Sequence, residues 1–192
     1  TTSPITLTVG LSITDASNIN RTNLFDKGLT SVVSFGISDS RLSGGSIMID
    51  FSPAGISDWS FTRLTMEDTF EKKSRLFGVR DRSFFGWMRS DAKGVPAQER
   101  FTVEGAGSAA MLKKGYLRDA SSFYGDYDLR NRYHMPGDAN LRAFGNQNFI
   151  GVEKVLSNSF ETFMHKRFGP ISLELAAFID GGILSGSKFV LN

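Results

Sequence analysis

Two carboxylates on one side of an alternating stretch are the groups best placed to do chemistry in this chain. From Ile171 to Gly182, Ile171, Leu173, Leu175, Ala177 and Ile179 share one parity, while Ser172, Glu174, Ala176, Phe178 and Asp180 share the other. Successive side chains of a strand point to opposite faces. If the apolar parity meets lipid, where a charge is costly, Glu174 and Asp180 turn into an interior. Two carboxylates so placed invite a cation. Arg142 is a candidate, within Gly137-Asp138-Ala139-Asn140-Leu141-Arg142-Ala143-Phe144. The chemistry on offer is a sheltered ion pair, not bond making.

Other chemistries find no footing in the sequence. His134 and His165 lie far apart with no H-E-x-x-H arrangement, so a zinc centre is not expected. No G-x-S-x-G elbow is present for a hydrolase. Gly105, Gly107 and Gly115 lack the lysine-serine/threonine ending of a phosphate loop. Zero cysteines remove disulfides and thiolate ligands, and 22 basic against 20 acidic residues leave a net charge of +2. That balance argues against a nucleic-acid partner, which asks for a clustered basic excess. Lys72, Lys73 and Arg75 read as a solvated rim. Neither a cofactor nor an enzymatic activity is expected.

The elements that must hold these groups repeat with a period of two. Ile5, Leu7, Val9, Leu11 and Ile13 alternate with small or polar residues, and Val33 to Ile37 and Ile47 to Phe51 follow the same rule. Such alternation is the signature of strands. Trp59 and Phe61 open a fourth segment whose parity slips at Arg63-Leu64, and a bulge would explain the slip. A fifth carries Phe77, Val79, Phe85 and Trp87 opposite Gly78, Arg80, Arg82 and Gly86, and Gln98 to Gly105 gives a sixth. Val152 to His165 and Ile171 to Asp180 are again extended, and Ser187 to Leu191 begins one more strand. Met66 to Leu76 and Ala109 to Leu117 carry helix-compatible composition without changing the class.

Residues 106–148 lose the pattern and read as one long loop. A loop of about forty residues is foreign to a compact soluble domain but expected on one side of a membrane barrel. No run of about 18 apolar residues exists for a transmembrane helix. The long strands, the small polar face and 17 phenylalanines favour an antiparallel transmembrane β-barrel over a soluble β-sandwich. The opening Thr1-Thr2-Ser3-Pro4 reads as a mature or trimmed segment.

Tyr133-His134-Met135-Pro136-Gly137 through Phe144, followed by Phe178-Ile179-Asp180, resembles the BamA-type superfamily of outer-membrane barrels. This superfamily includes the bacterial surface antigens and two-partner-secretion transporters. Its sixth extracellular loop carries G-G-x-x-x-[VL]-R-G-[YF] and folds into the lumen, where the arginine pairs with the aspartate of F-x-D. By that resemblance Gly137, Leu141, Arg142 and Phe144 match the loop motif, and Phe178 and Asp180 match the strand motif. Glu161 falls where a strand glutamate follows the loop. Asp138 and Ala143 replace two of the motif's glycines.

The resemblance implies an all-β fold, a partial barrel of about eight to ten strands from a sixteen-stranded wall. Residues 1–192 would form a single segment, and 106–148 an extracellular loop turned into the lumen. It further implies residence in a bacterial-type outer membrane, contact with its lipid, and a role in inserting or translocating proteins. Other outer-membrane or periplasmic subunits are the implied protein partners. A membrane anchor for a larger peptidase-like enzyme and a soluble binding module are the alternatives.

Overall fold

The computed structural model describes residues 5–17, 26–39, 44–103, 138–139, 141, 151–169, 171–184 and 190–191. They form an all-β structure of one antiparallel sheet. The strands are β1 (Ile5–Asp15), β2 (Leu29–Asp39), β3 (Gly45–Ser52), β4 (Phe61–Lys73), β5 (Phe77–Ser90), β6 (Lys154–Phe168), β7 (Ile171–Leu184) and β8 (Val190–Leu191). Their order in space is their order in the chain. Among the described residues no pairing joins β1 to β8, so the sheet is open.

The period of two is realised without interruption. Val9 pairs with Phe35, Phe35 with Ile49, and Ile49 with Leu64. Their side chains, with those of Phe85, Leu156 and Leu175, lie on one face. Exposure there is high, reaching 75% at Val9. Among the described residues no second layer packs against this face, which a sandwich would require. No helix of the described residues is long and apolar enough to cross a membrane.

Two expectations for local structure are corrected, and a helix-compatible stretch proves to be strand. β4 pairs with β3 from Phe61 to Glu67 and with β5 from Phe61 to Lys73, each in constant register with no bulge. The parity slip has another cause. Phe61 and Arg63 point to the polar face and are covered there, so apolar residues occur on both parities. The 66–76 stretch is not helical, because β4 continues to Lys73 and pairs Phe70 with Asp81; cross-strand hydrogen bonds override its helix-forming composition. Gln98 to Gly105 is not a strand over its described part. It begins with a single 3-10 turn, Ala97–Glu99, and holds one isolated bridge, Phe101 to Val152. The 109–117 stretch lies outside the described residues.

The core sits on the polar-parity face, at one end of the sheet. Phe61, Phe84, Met88, Val155 and Leu184 rise from the strands, and Val95, Phe101, Val103, Ala139, Leu141 and Val152 come from the β5–β6 connection. The face expected to be small and polar is apolar and dry at this end. Two glycines admit the connection. A Cβ at Gly86 would lie 2.6 Å from the Phe101 ring, and one at Gly182 would lie 3.2 Å from Leu141 Cδ1. The opposite end is drawn tight at Gly169 (φ +60°), which follows Phe168, the strand partner of Ile171. Left-handed φ is what tight hairpin turns demand.

Candidate functional site

The polar face carries three guanidinium centres, each tying a strand to something beyond its own neighbour. Arg63 on β4 donates from Nε to Asp50 Oδ2 at 2.6 Å and from Nη1 to Glu99 Oε2 at 3.2 Å. The same Nη1 donates to the Glu99 carbonyl at 3.1 Å. Arg63 therefore fixes the 3-10 turn of the connection to the sheet. Arg82 on β5 donates to Glu67 Oε1 at 2.7 Å and to the Asp138 carbonyl at 2.9 Å, which pins the far side of the long loop.

Arg80 is bound by three carboxylates. Glu71 Oε2 lies at 3.1 Å, Glu161 Oε1 at 2.8 Å and Glu174 Oε1 at 3.0 Å, so β4, β5, β6 and β7 meet at one side chain. Its guanidinium also lies 4.1 Å from the Phe163 ring centroid. This cluster is half exposed, and each of its ion pairs is worth at most about 1 kcal/mol. It orders charge along the face more than it stabilises the sheet.

The loop itself is stitched down by its backbone. Ala139 N–H donates to the Thr102 carbonyl at 2.9 Å and Leu141 N–H to the Val103 carbonyl at 3.0 Å. Asp138 Oδ2 accepts from the Thr102 amide at 2.8 Å and from its hydroxyl at 3.2 Å. Leu141 is fully buried. Next to its seat at Gly182, and two residues back on the same face, Asp180 has no solvent exposure. Ser159 Oγ donates to Asp180 Oδ1 at 2.6 Å.

The structure therefore brings Leu141 and Asp180 to one end of the polar face, beside the inserted connection. Phe178 shares that face and is half exposed. Glu161 and Glu174 lie together further along the strands, at Arg80. The cation at Glu174 among the described residues is a strand arginine, Arg80. Gly137, Arg142 and Phe144 lie outside the described residues, as does His134. Among the described residues no group of three histidines or carboxylates could hold a metal ion.

Arg63, Arg80 and Arg82 carry most of the observed ion pairing, and sequence reasoning passed over them. Their signal was present. Arg80 and Arg82 occupy the small-residue parity of β5, Arg80 directly opposite Glu71 and Glu161 and Arg82 opposite Thr69, one diagonal step from Glu67. A charge on the parity away from the apolar face already points to a partner across the strand.

Burial pushes the Asp138 carboxyl above its ordinary value, against the opposing pull of the Thr102 hydrogen bonds and of Arg63 and Arg82. A carboxyl raised in the docked state favours docking when protonated. That contribution is fully present below the undocked pKa of about 3.8 and is lost as pH rises through the docked pKa. Asp138→Asn keeps a carbonyl acceptor for Thr102 and removes the charge. The Ala139 and Leu141 amides of the wild type should lose protection relative to the asparagine variant as pH increases. Hydrogen exchange followed in both proteins over that range checks it, and parallel profiles would refute it.

No protein-family model, curated protein or solved structure matches this chain.

Proposed function

We propose that this chain is part of the wall of a BamA-type outer-membrane β-barrel. Its inserted loop would latch inside the wall, and the assembly would assist insertion or passage of proteins across the outer membrane. The observation that carries this reading is the separation of the two faces. Every strand from β1 to β7 presents large apolar side chains outward, whereas the ion pairs of Arg63, Arg80 and Arg82 and the inserted connection lie on the opposite face. Soluble monomers rarely expose a contiguous apolar patch larger than a few hundred Å². In hydrocarbon such a face is satisfied, and a paired sheet leaves its backbone polar groups bonded. The strands also have the reach. β4 to β7 hold 13, 14, 15 and 14 residues, and about 9 to 11 tilted residues cross a bilayer.

The loop latch rests on the residues quoted for the resemblance, with Leu141 seated beside Asp180. In a sixteen-stranded wall, as that resemblance implies, the eight strands here form one contiguous portion. The reading is tested with the full-length protein in lipid vesicles. It should resist alkaline extraction, migrate as a folded species in SDS until heated, and speed the folding of a denatured outer-membrane barrel added outside. Recovery in the aqueous fraction would end it.

A substitution separates the two faces. Leu156→Arg places a cation on the apolar face and should lower the free energy of folding into vesicles by about 2 to 4 kcal/mol. Thr8→Arg, on the polar parity of β1, should change it by less than about 0.5 kcal/mol. Equal losses at both positions would show that the faces do not meet different solvents.

A further inference from the structure

The apolar face is not uniformly apolar. A row of small and polar residues crosses it at right angles to the strands. Asp68 pairs with Ser83, Ser83 with Asn158, and Asn158 with Gly181. Gly45 closes the other end, where a Cβ would lie 3.5 Å from Asp68 Oδ1. On one side runs a ridge of paired large residues, Ile47, Met66, Phe85, Leu156 and Ile183. On the other side Phe70, Phe160 and Ile179 form a second ridge, interrupted by Asp81 between Phe70 and Phe160. The result is a trough across five strands. With strands about 4.8 Å apart it runs for roughly 19 Å, the rise of about twelve helical residues.

The trough's polar groups are partly spent on one another. Asn158 Nδ2 donates to Asp81 Oδ1 at 2.9 Å and to Ser83 Oγ at 3.1 Å. Among the described residues neither Asp68 nor Asp81 has a cation partner. Each strand carries apolar side chains on both sides of the row: Met66 and Phe70 on β4, Val79 and Phe85 on β5, Leu156 and Phe160 on β6. In the membrane reading these two carboxylates stand near midspan, where acyl chains offer neither hydrogen bonds nor charge. A second copy of this chain, placed with the same trough facing, would set carboxylates against carboxylates. A basic segment meets the requirement.

Resting on the proposed function, we propose that this trough docks a membrane-embedded helix of a partner protein through one lysine or arginine set among apolar residues. The cation would reach Asp68 and Asp81, and the ridges would bracket the helix. Opposite charge supplies the recognition, and the glycines at both ends allow close approach. A polar contact of this kind inside a bilayer discriminates by tens of fold at most.

The test uses the full chain in phosphatidylcholine vesicles, with a fluorescent leucine-alanine helix carrying one central lysine as probe. Energy transfer should report binding at least tenfold tighter than for the same helix with leucine at that position. Asp68→Asn with Asp81→Asn should abolish the difference while leaving vesicle integration and SDS resistance unchanged. Equal affinity for the two helices would overturn the proposal, as would a preference that survives the double variant. Self-association of labelled chains lost in the double variant would assign the trough to a second copy and overturn it equally. Failure of the wild-type chain to integrate would sink the membrane reading itself, and this inference with it.

Discussion

Arg63→Ala is expected to destabilise the protein by about 3 to 5 kcal/mol, because it removes the guanidinium that two buried carboxylates share. Asp50 is 1% exposed and Glu99 is 7% exposed. Arg63 serves both, and it also holds the Glu99 carbonyl. Loss of the guanidinium should release the 97–103 segment, so the Phe101 and Val152 amides, which bond to each other's carbonyls, should exchange faster together. Arg63→Lys keeps the charge but not the fork, and an intermediate loss is expected. Denaturation in detergent, with exchange at those two amides, measures both effects. A loss below about 1 kcal/mol would mean that the pair behaves as a solvated one.

The second large effect concerns Asp180 and Arg142. Asp180 is fully buried and accepts from Ser159. If Arg142 is the cation that shares its site, as the resemblance implies, either alanine substitution should weaken loop docking by about 3 to 5 kcal/mol. The double variant should then be no worse than a single one. Protection of the Leu141 amide, which donates to Val103, reports docking directly. Strictly additive losses in the cycle would show that the two side chains do not touch.

Much of the sheet was legible because the apolar parity runs unbroken along its clearest stretches. The alternation at Ile5 to Ile13 and at Ile171 to Asp180 has one reading, and β1 and β7 follow it. The facing of Glu174 and Asp180 came from the same parity. Legibility failed where both faces of a strand are covered. Phe61 and Arg63 share a parity but serve different ends, a core and an ion pair, and parity alone turned that into a bulge. It failed again at Gln98 to Gly105, where Phe101 and Val103 are apolar because they fill the space over Gly86 and beside Leu141. A pattern of two residues in alternation cannot distinguish a strand from a segment laid across one. The arginines of the polar face were visible as residues, but their partners lie across strands, and pairing was needed to see them.

Every neighbour in the sheet is a neighbour in sequence, yet one junction differs from the rest. β5 and β6 are adjacent strands separated by residues 91–153, and closing so long a span costs roughly 2 kcal/mol more than closing a tight hairpin. The five strands before it and the β6–β7 hairpin after it can therefore zip locally, as two separate halves. Their union also seats Phe101 and Leu141 in their glycine notches, which makes the insert the clasp between the two halves of the sheet.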